Sequence, residues 1–417
     1  MSNKQSNPLW TRDFTILTVG SVISMFGNAM TGFAMSLMVL DLSNSTLLYA
    51  IYLAMYTLPQ LFMPIVSGAI LDRQSRKKTI YTLDFISAGL YLLLAGVLTT
   101  GWFSFPVFAV YCFILGSIQS TYFVAYESFY PLLISEGNYQ KAYAIDSVLE
   151  TVSAVMVPVS AFLYRRIGLA PLMAANAVCF FLAAVVETRI KTDEAYIETQ
   201  KETALRGAGK IRQVLADTRE GFAYLAGEKG LLAVTAYFAI ISVTGGVSNV
   251  ITLPWFRNTF PDGEYVYMLV WGTLLVGRAI GGAVHYRVSI PARSRYKVAM
   301  ATYLVIAALE GFYLFFPVPV MVLMYFAVGL GGVTTYTIRI SATQSYVPDE
   351  KKGRFNGAFN MLCTLGALLG ELVAGGLTTV MNERLVLMCF MLMQIVAALL
   401  IIGGSKKHVE KVYNRVQ

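Results

Sequence analysis

A few ionisable and amide side chains stand inside stretches that otherwise carry no charge, and these are the residues whose surroundings could make them do chemistry. Glu371 is the only charged residue between Phe355 and Asn382, and Glu310 the only one between Val298 and Ile338. A carboxyl group in such surroundings is costly when ionised, so it takes a proton, binds a cation or finds a hydrogen-bond partner. Glu371, flanked by Gly366, Gly370, Gly375 and Gly376, is the first candidate for a protonatable group. A purely structural hydrogen bond is the competing reading. Arg278, in Gly277-Arg278-Ala279-Ile280-Gly281, can neutralise Glu371, meet an anionic solute or snorkel to the surface. Asp146 and Glu150 are spaced to share one helix face, as an acidic mouth or as gate ion pairs. Arg339 reads as a gate or interface residue. Asn28 and Asn249, the latter after Gly245-Gly246, can orient a solute by hydrogen bonds, with Gln119 and Gln60 as weaker candidates.

Other chemistries lack their residues. Two histidines and four scattered cysteines, Cys112, Cys179, Cys363 and Cys389, make no metal or redox motif. There is no phosphate-cradling P-loop, no nucleophile–base set and no cofactor fingerprint. The expectation is a non-enzyme without metal or cofactor. The net charge of +8 does not mark a nucleic-acid binder, because the basic residues lie in short segments between apolar tracts.

Those tracts are what must position the candidates. Of 417 residues, 56% are hydrophobic and 13% charged. From Phe14 to Leu71 the only charge is Asp41, and from Phe85 to Tyr126 there is none. A helix crosses the hydrocarbon with about 20 apolar residues, and in lipid the backbone must satisfy its own hydrogen bonds. The chain therefore reads as an all-α integral membrane protein with twelve spans, at 14–40, 46–71, 79–100, 104–128, 143–165, 169–187, 230–256, 264–287, 297–316, 318–340, 354–380 and 385–404. The first tract is too long for a cleaved leader. Twenty-six of the 32 lysines and arginines fall in segments on one side of this scheme and four on the other. By the positive-inside rule both termini are expected in the cytoplasm.

The spans divide into a six-helix bundle at 1–187, a charged linker at 188–229, a second bundle at 230–404 and a tail at 405–417. Ile211, Val214, Leu215, Phe222 and Leu225 fall at helical spacing and predict an amphipathic helix in the linker. A weak internal repeat supports the division. Ser67-Gly68-Ala69-Ile70-Leu71-Asp72-Arg73 aligns with Gly281-Gly282-Ala283-Val284-His285-Tyr286-Arg287, and the segment from Tyr139 with that from Lys352, at offsets of 214 and 213. Two parallel six-helix halves are an architecture for a path between them and for alternating access by rocking.

One local pattern is sharper. Gly68, Asp72, Arg73, Arg76, Lys77 and Lys78 fit G-x-x-x-D-R-x-x-R-[KR]-[KR] between the second and third spans. On this motif, the twelve spans and the repeat, the chain resembles the major facilitator superfamily over its whole length. The resemblance implies that Asp72 docks on the start of the eleventh span, at Lys352-Gly353-Arg354, in one gating state. It also implies that Glu127 partners Arg73 or Arg76. In the second half Tyr286 stands where the aspartate would be.

Gly27-Asn28-Ala29-Met30 with Asp41-Leu42-Ser43-Asn44-Ser45, Tyr130-Pro131-Leu132-Leu133-Ile134, and Arg219-Glu220-Gly221-Phe222 are similar to the macrolide-efflux and enterobactin-exporter branch. This chain departs from proton-coupled drug antiporters in having no arginine in the fourth span and only Pro158 in place of a Gly-Pro motif in the fifth. The implied function is secondary, proton-coupled export of hydrophobic or amphipathic compounds from a bacterial cytoplasm, by a monomer in the inner membrane. Lipid flipping, small-solute uptake and a non-transporting scaffold remain the alternatives.

Overall fold

The computed structural model describes residues 8–71, 74–135, 138, 141–142, 145, 149, 153, 156–192, 194, 207–287 and 290–415. Its regular elements there are helical. They are α1 (Arg12–Ser43), α2 (Thr46–Thr57), α3 (Pro59–Leu71), α4 (Arg76–Thr99), α5 (Phe105–Leu133), α6 (Met156–Ile167), α7 (Leu169–Glu187), α8 (Gly207–Gly227), α9 (Lys229–Thr259), α10 (Gly263–Arg287), α11 (Arg295–Phe312), α12 (Val318–Tyr346), α13 (Asp349–Leu377), α14 (Glu383–Ala397) and α15 (Lys406–Tyr413). Eleven candidate spans among the described residues are long and apolar enough to cross a membrane. The fifth expected span, 143–165, is described as a continuous helix only from Met156, in α6. The second is broken into α2 and α3 before Pro59, whose ring and missing N–H interrupt a helix.

The chain divides into two compact units, one of residues 1–44 and 55–212, the other of 45–54 and 213–417. In the first unit α1 packs on α6 and α7, α3 on α5, and α4 on α5 and α7. In the second, α9 packs on α13 and α14, α10 on α12, and α11 on α12 and α14. Numbered by span, these are the same pairings made twice.

The repeat reaches single residues. A Cβ on Gly116 of α5 would come within 2.3 Å of the Tyr56 carbonyl oxygen, and one on Gly329 of α12 within 2.2 Å of that of Leu274. The two glycines are 213 residues apart. In each unit only a residue without a side chain lets the two backbones approach this closely.

The linker helix α8 lies in the second unit from Gln213 on. There Arg354 donates to Glu220 at 2.7 Å, and Gly221 sits against the Arg354 carbonyl. The segment expected as a tail is a packed helix. Val409, Val412 and Tyr413 of α15 are wholly buried, and the Tyr413 and Tyr303 hydroxyls are 2.8 Å apart.

Candidate functional site

The first unit holds a cavity of about 170 Å³ between α1, α4, α5 and α7. Ser21, Ser24 and Asn28 reach it from one face of α1, and Gln119, Tyr122, Phe123 and Tyr126 from one face of α5. Both sets have the three- and four-residue spacing that aligns side chains on a helix. The Asn28 amide donates to the Gln119 side-chain oxygen at 3.5 Å and accepts from the Tyr91 hydroxyl at 3.3 Å. Tyr91 in turn stacks on Phe180 with ring centroids 5.5 Å apart. The wall thus alternates hydrogen-bonding amides and hydroxyls with aromatic faces. Its charged members among the described residues are Asp84 and Glu127, and no lysine, arginine or histidine is among the described lining residues.

Asp84 is 1% exposed, and Ser24 donates to its Oδ2 at 3.3 Å. The last residue of α7, Glu187, is also 1% exposed and close enough to Asp84 for the two carboxyl groups to interact. Sequence reasoning missed both, because each stands at the edge of an apolar tract, where a charge is ordinarily solvated.

The second unit has a cavity of about 310 Å³ lined by α9, α10, α11, α12 and α14. Arg278, Glu310 and Gln394 face it, with Phe238, Tyr303 and Tyr336 as aromatic walls. Arg278 shares this cavity with Glu310, and Glu371 is not among its described lining residues. Glu371 is 4% exposed, on the face of α13 packed against Gly246 of α9. The glycines around it allow this close packing: a Cβ on Gly370 would meet the Val243 carbonyl oxygen at 2.0 Å. Glu310, the lone charge of its apolar run, lines the cavity. Arg339 lies over the Phe359 ring at 4.7 Å and the Phe238 ring at 5.2 Å, a cation–π arrangement.

At one end of the first unit the motif cations Arg76 and Lys77 are held by backbone carbonyls, and an acid that sequence did not single out caps the helix they begin. The Arg76 guanidinium donates to the Ser128 carbonyl at 2.8 Å, one residue beyond Glu127, and Lys77 donates to the Thr192 carbonyl at 2.8 Å. Glu194 accepts from the Arg76 backbone N–H at 2.8 Å and from Ser75 Oγ. It thereby places a carboxylate at the N-terminus of α4, where the helix dipole favours an anion. The Thr192 and Lys191 amides donate to Asp13 at 2.6 and 3.0 Å.

The family model described as Major Facilitator Superfamily matches residues 17–371. The chain belongs to this superfamily. An uncharacterised transporter of the same type from Bacillus subtilis (strain 168), YkuC, is 26% identical over 298 residues, which are 67% of this chain and 68% of YkuC. The crystal structure of the nucleoside transporter NupG aligns with a TM-score of 0.68 at 12% identity, over 95% of this chain and 100% of NupG. A point mutant of NupG aligns at 0.66 and 12%, over 95% of this chain and 98% of that one. The protein is therefore a multi-pass membrane transporter with the superfamily's all-helical fold.

The superfamily motif itself is only partly in view. Gly68 lies in the last turn of α3, and Asp72 and Arg73 lie outside the described residues, as do Asp146 and Glu150. Arg354, the expected docking partner of Asp72, is engaged with Glu220. Of the expected solute-binding residues, Asn28 and Gln119 come together in one cavity and Arg278 lines the other. Asn249 is exposed on α9 and lines neither cavity.

Proposed function

We propose that the protein is a proton-coupled exporter of amphipathic compounds, neutral or cationic, of drug-like or natural-product character. The observation that carries this reading is the wall of the first-unit cavity. Aromatic faces from Tyr122, Phe123, Tyr126 and Phe180 suit a flat apolar body. The acids Asp84 and Glu127, with no basic residue among the described lining residues, suit a positive or neutral head and disfavour an anion. Rocking of two six-helix bundles, 1–187 and 230–404, would alternate access, with the motif from Gly68 to Lys77, Glu127 and Arg354 acting at the gate. The working orientation is both termini cytoplasmic in a bacterial inner membrane, as a monomer.

A second reading is uptake of a small polar solute with a ring. The Asn28–Gln119 amide pair, with Tyr91 bonded to Asn28, offers donors and acceptors side by side. NupG is a nucleoside transporter, but its likeness to this chain is one of fold.

Proteoliposomes separate the readings. Hydrophobic cations, macrolides, nucleosides and labelled lysolipid are offered with and without an imposed pH gradient. Gradient-driven movement of a hydrophobic cation or macrolide is the expected result. Movement of nucleoside alone would establish the second reading. Flux of lysolipid alone, or none, would overturn both in favour of a flippase or a non-transporting protein.

A further inference from the structure

Asp84 and Glu187 come from different helices, α4 and α7, and are buried together against α1 and α5. The Glu187 carboxyl lies where α1 has no side chain: a Cβ on Gly20 would fall 2.5 Å from its Oε1. Both Glu187 oxygens are buried without a hydrogen-bond partner among the described residues, as are Thr18 Oγ1, Ser21 Oγ and the Tyr122 hydroxyl. Asp84 has Ser24 as its donor and opens onto the cavity. Of the other groups facing the pair, Tyr122 of α5 is a titratable one that interacts with both, and Tyr126 stacks on it. Glu127 of α5 is at the exposed edge of the cavity, and Asp13 of α1 is engaged by Lys191 and Thr192. Arg189, two residues past Glu187, is exposed.

Gly20 and Ser24 are one turn apart on α1, so the carboxyls they meet are neighbours. Two neighbouring carboxylates, desolvated and with no cation beside them among the described residues, repel more strongly than the neutral donors here offset. Neighbouring carboxyl groups in that situation share a proton. The cavity of the second unit is a contrast within the same chain, since its acid Glu310 shares the walls with Arg278.

We propose that Asp84 and Glu187 form the proton-binding site of the carrier: a buried pair that holds one proton and exchanges it through the first-unit cavity. Ser24 orients Asp84 toward the cavity, and Gly20 makes room for Glu187. Proton transfer runs between carboxyl oxygens and water at the cavity, with no other bond made or broken. This assignment rests on the proton-coupled reading above but is tested without a transported substrate.

The experiment is infrared difference spectroscopy of the full-length protein in lipid bilayers during a pH titration, in sodium and in choline buffers. In the wild type a protonated-carboxyl band should disappear as pH rises, alike in both buffers. Glu187→Gln and Asp84→Asn should each remove that step, and the double variant should remove nothing further. A full-size step in both single variants would overturn the assignment, as would a band that sodium abolishes at fixed pH, which would mark a cation site. Carbodiimide labelling of the wild type, mapped by mass spectrometry, covers variants that fail to fold. Adducts on Glu187 or Asp84 at neutral pH are expected, and labelling confined to other carboxyls would refute the pair. An intact titration step with no gradient-driven flux would leave the site standing and overturn only the exporter reading. Gradient-driven flux with no such step would do the reverse.

Discussion

Asn176 Nδ2 donates to Thr31 Oγ1 at 2.9 Å, and both side chains are wholly buried between α7 and α1. The second unit repeats the contact between α14 and α9, where Thr244 donates to the Gln394 side-chain oxygen. Thr244 follows Thr31 by 213 residues and Gln394 follows Asn176 by 218. A polar clasp thus joins the corresponding spans, first to sixth and seventh to twelfth, in both units, although the acceptor is a hydroxyl in one and an amide in the other.

Breaking one side of the clasp should cost more than removing both. Thr31→Val strands the Asn176 amide in a buried site, at about 1–3 kcal/mol. Adding Asn176→Leu should then recover part of the loss. Thermal unfolding of the single and double variants in detergent measures the coupling, and strict additivity would mean that the clasp contributes nothing.

Close backbone approach should make Gly116 and Gly329 intolerant. With a carbonyl oxygen 2.3 or 2.2 Å from the added Cβ, Gly116→Val and Gly329→Val must push the end of α2 at Tyr56 from α5, or α10 from α12. Both should fail to give a monodisperse protein. Gly89→Ala, whose Cβ would have nothing within 4 Å, should behave as wild type. Size-exclusion profiles of the three decide it.

Removing the C-terminal helix should weaken the second unit. Val409, Val412 and Tyr413 bury apolar surface in one cluster with Tyr237 and Tyr303. Each such side chain contributes roughly 1.5–3 kcal/mol. A chain ending at Ser405 should unfold several degrees lower. An unchanged melting temperature would mean that α15 is not part of the folded unit's stability.

The gating motif should control rate rather than folding. Asp72→Asn should slow transport in proteoliposomes by at least tenfold at unchanged expression and melting temperature. Full turnover would remove Asp72 from the gate.

Glu371 and the Asp84–Glu187 pair make separable predictions. If Glu371 on α13 is the coupling acid, Glu371→Gln abolishes gradient-driven flux and leaves counterflow. If Glu371 serves packing against α9, both fluxes fall together with stability. Measuring flux, counterflow and unfolding on one preparation separates the two.

Much of the architecture was legible because lipid writes it into composition. Tracts such as 85–126, without one charge, can only be paired spans, and the Gly68–Lys78 motif with the 213–214 offsets pointed to a duplicated six-helix unit. Length and charge are one-dimensional properties, so they survive in the sequence unaltered. Asn28 and Gln119 were legible for the same reason, as polar groups deep inside apolar runs.

What the sequence could not state is which face of each span meets which neighbour. Glu371 and Glu310 each read as a lone carboxyl in an apolar run, but the rotation of α13 and α11 about their axes decided what they face. Asp84 and Glu187 looked like ordinary edge charges. Only the packing of α4 and α7 against the glycine gap at Gly20 removes both from water and brings them together. Burial and proximity belong to the assembled helices, because a side chain's environment is set by residues more than a hundred positions away.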